Sequence, residues 1–589
     1  MSLSVRVAPV VTSICYRMLR PGGTKRSCWR HVLLAERSYL PTSKGLYMTR
    51  SRSLLIGAVL FGALAIPATG AHAATTPHTA MGSDSWKSAV SGVWGVAANW
   101  TNGIPTSTDN VYITDPGTYT VTLAPWSIGT ADPNSNGANV NSLTLGEASG
   151  TGTQTLVVAG QGSTSNSNEQ LNGVFLNVAS TSTITAHGNL VLDSTDGGST
   201  LPGNPSGGSA AVSGASILNR GSVETLIQDP KNKYSNFTQF EAPLTNEARA
   251  SVRDNSGLLE ATAITNDGTF TVAPGASLSV VALQGVYGDP ASFTNNGELV
   301  NGGTVTANQV AGTVTWTQAG GPIKGHEVVL QGGATLVDKT GAGQFLINWI
   351  AAKISGTIPA GQKITVVGEA YNSNGDNYNG TTLGLGGTVV NDGTIVLDAQ
   401  GSGNKSGGPA IVTGGSIRNN GTIMAEVQDP SWTVQYQAGL QNTHAGALTV
   451  TGGTFNDDGG SPVTNDGTVK IGPRALYLLQ EGAAFTNKRD GTIVPQIAST
   501  KSFGQFQLIN PCCAGAGEFT AGGSLLPTLV GGHAPAANTE FQLFLLSGGT
   551  FKGTFGRLGK SFTADYSNES ASPAFVGAIF DKSSKKRKS

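Results

Sequence analysis

Ile264-Thr-Asn-Asp-Gly-Thr-Phe-Thr-Val272, Val389-Val-Asn-Asp-Gly-Thr-Ile-Val-Leu397 and Val463-Thr-Asn-Asp-Gly-Thr-Val-Lys-Ile471 are copies of one phrase, apolar-x-Asn-x-Gly-Thr-apolar-x-apolar. Looser copies surround Gly221, Gly297, Gly421 and Gly491. Asn and Gly tolerate positive φ, so the middle of the phrase reads as a tight turn. The Thr-apolar-x-apolar that follows alternates like a half-buried strand. One such unit cannot bury its apolar side alone, whereas many stacked units share a continuous core. The expected fold is therefore all-β, a parallel β-helix or β-solenoid. The period of two places Phe270, Val272, Ile395, Leu397, Val469 and Ile471 inside, with Thr271, Val396 and Lys470 outside.

A longer repeat lies over the short one. Asn219-Arg-Gly-Ser-Val-Glu-Thr-Leu-Ile-Gln-Asp-Pro230 matches Asn419-Asn-Gly-Thr-Ile-Met-Ala-Glu-Val-Gln-Asp-Pro430 at an offset of 200, and Asn266-Asp-Gly-Thr269 matches Asn465-Asp-Gly-Thr468 at 199. Two blocks of one ~200-residue unit, about 152–303 and 361–497, thus make up most of a solenoid spanning 131–500. An N-terminal Trp-rich cap (74–130) precedes it. A C-terminal β-rich cap (501–581) and a basic tail (582–589) follow.

Arg50 and Arg52, the apolar run Leu54–Ile66 and Ala71-His-Ala73 make a secretory signal over 48–73, with cleavage expected before Ala74. The run is too short to span a bilayer's ~30 Å core, so no transmembrane span is expected in the mature chain. Residues 1–47 carry no repeat phrase, and translation is expected to start at Met48. Residues 1–73 hold ten Lys/Arg and one Asp/Glu, a net of +9. The remainder of a chain of formal net charge −1 is therefore at −10, which argues against nucleic acid as a partner. The only cysteines beyond residue 47 are the adjacent Cys512 and Cys513, too close for a disulfide framework or a metal motif.

Trp86, Trp94 and Trp100 lie in Ser83-Asp-Ser-Trp86 and Trp94-Gly-Val-Ala-Ala-Asn-Trp100-Thr-Asn-Gly-Ile-Pro105. Asp109-Asn-Val-Tyr-Ile113, Gly117-Thr-Tyr-Thr-Val-Thr-Leu123 and Val140-Asn-Ser-Leu-Thr-Leu-Gly146 follow. This segment resembles the opening of secreted bacterial β-strand-repeat surface proteins of the autotransporter-passenger kind. The resemblance implies an extracellular, cell-surface-associated, structural or adhesin-like protein without a cofactor. Its partner would be a polysaccharide or cell-wall polymer, or another copy of the chain. The three tryptophans read either as a sugar-stacking platform or as a plug over the first rung. The loops after Gln228-Asp229-Pro230 and Gln428-Asp429-Pro430 carry Tyr234 and Phe237 in one block and Trp432 and Tyr436 in the other. These rings are the further candidates for ligand binding.

Two alternatives come from other classes: a carbohydrate-binding module, and a polysaccharide hydrolase or lyase on the same scaffold. Glycoside hydrolysis needs one carboxylic acid to protonate the leaving sugar and a second carboxylate to activate water or attack. Asp457-Asp458 is the close match to such a pair, without the Gly-His-Gly that should accompany it, and turn chemistry is the plainer reading. His78, His187, His326, His444 and His533 are isolated, and no metal spacing is present. No catalytic residue is assigned.

Edman sequencing of secreted protein should begin at Ala74. A start within residues 1–47 would overturn the assignment of both the signal and Met48.

Overall fold

The computed structural model describes residues 82–581, apart from 125–136, 161–172, 195–208, 228–236, 283–289, 310–311, 370–379, 400–407, 428–431, 460, 512–514, 533 and 569–573. The chain from Thr76 onward is one compact unit. Apart from a single 3-10 turn at Ala97–Asn99, its regular elements among the described residues are strands. One circuit visits three sheets in turn: Leu244–Asn246 lies in the first, Ser251–Asp254 in the second and Gly257–Ala261 in the third. The next circuit, Ala263–Asn266, Thr269–Val272 and Ala276–Val280, stacks on it in parallel, with Leu244 over Ile264, Val252 over Phe270 and Leu259 over Leu278. The third sheet continues through sixteen pairings from Gly137–Val140 to Arg557–Leu558, roughly 77 Å at ~4.8 Å per step.

Alternation sets which side chains fill the interior. Phe270, Val272, Ile395, Leu397, Val469 and Ile471 are all buried, and Thr271 and Lys470 lie on the outer face. Val396 differs: it has the outward phase and yet is only 5% exposed, like its counterpart Val191 in the first block. Its cross-strand neighbours Thr365 and Met424 flank it, so its β-branched side chain is covered from both sides.

The Asn of the phrase is not a turn residue. It ends a strand with its side chain inward, and successive copies meet. Asn219 donates to Asn246, Asn246 to Asn266 and Asn266 to Asn295, at 2.8–3.0 Å, and Asn295 donates to Gln318 at 3.4 Å. A second ladder runs from Asn391 through Asn419, Asn442 and Asn465 to Asn487, with every step at 2.7 Å. The other amide proton of each Asn goes to a backbone carbonyl of the following rung, as from Asn442 to Thr468 O at 3.2 Å. A primary amide has two donors and one double acceptor, so it can serve the rung below, the rung above and the corner backbone together.

The Gly of the phrase likewise serves a different purpose from the one expected. Gly268, Gly393 and Gly467 do not have positive φ. A Cβ on Gly393 would lie 2.5 Å from the carbonyl oxygens of both Pro359 and Gln362 on the preceding rung. Corners stack backbone on backbone: both Asp267 N–H and Gly268 N–H donate to Asn246 O, at 2.8 and 3.0 Å. Gly is required here for close approach.

The two sequence blocks do not occupy the same faces. In the first block the phrase carries the chain from the first sheet into the second, as at Asn266 to Thr269. The second sheet stops at Ile323–Gly325, where Ile323 N–H donates to Ala342 O, and the rung 334–347 passes directly from the first sheet to the third. Beyond it the first-sheet strands lengthen and bend, as in Thr381–Asn391 and Ala410–Asn419, so that each supplies two faces. The phrase at Asn391 and Asn419 then leads into the third sheet, one face further around the circuit.

Both expected caps continue the stack. Gly82–Ser85 pairs with Asp109–Ile113, and Gly92–Val93 pairs with Tyr119–Leu123. At the other end Glu540–Ser547, Thr550–Gly553 and Phe562–Asp565 fall within the expected β-rich cap. A strand that was not foreseen, Ala574–Phe580, pairs antiparallel with the first and third of these and closes the edge.

Asn442→Ala should destabilise the chain by about 2–4 kcal/mol, because it strands the amide of Asn419, the oxygen of Asn465 and the carbonyl of Thr468 in a dry interior. Thr271→Ala should cost well under ~1 kcal/mol. Urea denaturation followed by circular dichroism checks the contrast, and equal losses would contradict the ladder's role.

Candidate functional site

The ring-bearing candidates divide by position. Trp86, Trp94 and Trp100 are interior, at 3%, 0% and 0% exposure. Their rings meet edge to face at 5.0 and 4.8 Å, and the Trp86 and Trp100 indole N–H groups donate to Val90 O and Trp94 O. No ring face is left open for stacking on a sugar, so the geometry is that of a plug. Tyr436 is also interior: it is fully buried, donates its hydroxyl to Gly439 O at 3.0 Å and stacks on Phe455. It was expected on a loop, but it falls on an inward position of the strand Thr433–Asn442. Trp432 packs against the core from the start of that strand, and Phe237 is half-buried opposite Leu258. Tyr234 and both Gln-Asp-Pro turns lie outside the described residues, as do Cys512 and Cys513.

Asp457 and Asp458 are consecutive in the strand Thr454–Asp457 and the turn after it, and their carboxyls go different ways. Asp457 points into the core, where it accepts the Tyr477 hydroxyl at 3.1 Å and lies opposite Tyr436. Burial pushes its carboxyl up to about 8, opposed by the Tyr477 hydrogen bond and reinforced by the neighbouring Asp458 charge. Burial also raises the Asp458 carboxyl, which accepts from the Asn456 amide. Asp457 is thus sealed in the core, out of reach of a sugar, and the two acids cannot flank one glycosidic bond. Asp254, the first block's acid at Arg253-Asp254-Asn255, is buried as well, accepts from Thr225 Oγ1 at 2.7 Å and is raised to about 7 by burial. His187, His326 and His444 stay apart, and no group of three or more metal-ligating side chains forms among the described residues.

A groove of about 370 Å³ lies where the first-sheet strands of the second block bend. Gly415 and Ser416, then Gly439, Leu440 and Gln441, then Ser461, Pro462 and Thr464 line it on three successive rungs. The bend is built by glycine pairs. Gly387 and Gly414 have φ of 106° and 87°, and the strand register shifts between Leu385 and Thr388 and again between Thr413 and Ser416. A Cβ on Gly439 would lie 3.1 Å from the Cβ of Ser416, so its absence keeps the groove open. Thr388 Oγ1 and Ser416 Oγ pair at 3.0 Å on its wall. The lining holds hydroxyls and an amide but no charge. The nearest cation in register is the exposed Arg418, opposite Gln441.

Sequence reasoning passed over this groove, although a signal was present. Gly386-Gly-Thr-Val-Val-Asn391, Gly414-Gly-Ser-Ile-Arg-Asn419 and Gly459-Gly-Ser-Pro-Val-Thr-Asn465 repeat a Gly-Gly-hydroxyl step ahead of each Asn. Compared with known proteins, the chain matches no family model, and no curated protein is detectably similar to it.

Asp254, Asp338 and Asp457 are raised to about 7, 7 and 8, from an ordinary Asp value near ~3.9 in the unfolded chain. Between those limits the folded state binds more protons than the unfolded one, so stability falls as pH rises and the loss is complete above the folded values. Melting temperature should therefore decline from about pH 4 to pH 8. Asp457→Asn should flatten the upper part of that decline, and a stability that rises with pH in this window would contradict the assignment.

Proposed function

We propose that the protein is a secreted, cell-surface-associated structural or adhesin-like solenoid that contacts polysaccharide or wall polymer. The observation that carries this reading is the uninterrupted parallel stack, tied from rung to rung by two buried amide ladders. Such a scaffold is long, rigid and repetitive, and it can present many small contacts at fixed spacing. The likeness of the Trp86–Gly146 segment to secreted β-strand-repeat proteins supports the address, as does the signal expected over 48–73. Among the described residues no helix is long and apolar enough to cross a membrane. The hydrolase reading loses its best acid pair, because Asp457 is buried in the core against Tyr477. Carbohydrate binding without turnover is favoured by the uncharged groove at the strand bend.

Purified chain starting at Ala74, mixed with insoluble polysaccharides and bacterial cell walls, should co-sediment with at least one of them. It should release no reducing sugar and form no unsaturated uronate absorbance. Turnover by the wild type that Asp458→Asn abolishes would replace this reading with the enzymatic one.

A further inference from the structure

We infer that the groove at the strand bend is a binding site for a single neutral glycan chain lying along the solenoid axis. This rests on the polysaccharide-contact reading above and places that contact at Ser416, Gln441, Ser461 and Thr464.

The chemistry of the lining selects the ligand class. The side chains of Gln441, Ser461 and Thr464 have no hydrogen-bond partner among the described residues, and Ser416 shares its hydroxyl with Thr388 alone. Together they offer donors and acceptors without a formal charge, against a floor of glycine backbone and the Pro462 ring. A phosphate, sulfate or uronate would require cations converging on it, and Arg418 alone stands nearby, outside the lining. A purely apolar ligand would strand the hydroxyls and the amide. A neutral polyhydroxylated chain meets both conditions, since its hydroxyls pair with the walls and its ring faces rest on the floor. The depression holds about 370 Å³ and is largely open to solvent, so a bound chain would lie along it rather than be enclosed.

The direction of the chain follows from the stacking. The lining comes from three successive rungs, with Gln441 and Thr464 adjacent in one cross-strand column. These rungs stand ~4.8 Å apart, so a chain parallel to the axis passes the side chains of all three in turn. The groove is shorter than the stack because its walls exist only where the first-sheet strands bend. In the first block the corresponding Gly214-Ala-Ser216 step falls at a different corner, between the third and first sheets. Among the described residues, the second block therefore carries this site.

Isothermal titration of the chain from Ala74 onward with cello-, laminari-, manno- and chito-hexaose, and with hexagalacturonate as the acidic probe, tests the inference. At least one neutral hexaose should bind. Gln441→Ala combined with Thr464→Ala should weaken it tenfold or more, and Ser416→Trp should abolish binding by filling the groove. All of these side chains face outward, so melting curves should stay within a few degrees of wild type. Thr265→Trp, on the outer face of the first sheet, should leave binding unchanged. If the wild type co-sediments with polysaccharide while the groove variants bind as it does, the site is wrong and the polysaccharide-contact reading stands. Preference for hexagalacturonate would overturn the neutral ligand. Failure to bind any hexaose, with co-sedimentation intact, would overturn the groove, and failure of both measurements would overturn both readings.

Discussion

The rung-to-rung hydrogen bond between buried asparagine side chains is the constraint on which the rest of the structure depends. Asn391 to Asn487 sit at one corner of the circuit, where the backbone turns and leaves carbonyls that strand pairing cannot reach. An amide in that place satisfies a carbonyl, accepts from the rung before and donates to the rung after. Each member is held by its neighbours, so a slip of one residue would break two rungs at once. Chains of such bonds also polarise one another in a low dielectric. The close glycines follow from the same geometry, because corners that share hydrogen bonds leave no room for a Cβ.

A second ladder runs outside the first and shows how the same corner treats water. The residue after each Asn points outward, and its copies pair across rungs: Arg220 with Glu247, Asn296 with Asp267, Asn420 with Asp392, Lys488 with Asp466. These exposed contacts each contribute little, ~0–1 kcal/mol. Their value lies in specificity, since the column discourages registers that would set like charges side by side.

Between Gly325 and Ile358 the solenoid changes cross-section without losing its continuity. One sheet ends, another widens to two faces, and the phrase moves one face around the circuit. Hydrogen bonding tolerates this because the corner unit is self-contained: it requires a copy of itself above and below, whichever sheets flank it. The bend introduced beyond this point is what creates the groove. The aromatic side chains are used differently, as interior filling, in the Trp86–Trp94–Trp100 plug and in the stack from Tyr436 through Phe455, Tyr477 and Phe506 to Phe544.

The sequence by itself determined the fold class, the inward positions of the three strands that follow the phrase and the existence of two blocks, because a period of two and a recurring corner are local properties of the chain. Phe270 and Ile395 could be assigned to the core from their neighbours alone. Tertiary structure alone decided what the corner residues do. Whether Asn266 turns the chain or joins a ladder depends on Asn246 and Asn295, which lie twenty and twenty-nine residues away and meet it only through stacking. The same holds for Gly393, whose constraint is a carbonyl on another rung, and for Asp457 and Tyr436, which meet inside the stack. The groove belongs to this second group as well. Its Gly-Gly-hydroxyl step was present in the chain, but the groove forms only where two such rungs, at Ser416 and Ser461, stack on either side of the Gly439 rung, and that neighbourhood is set by stacking rather than by the local sequence.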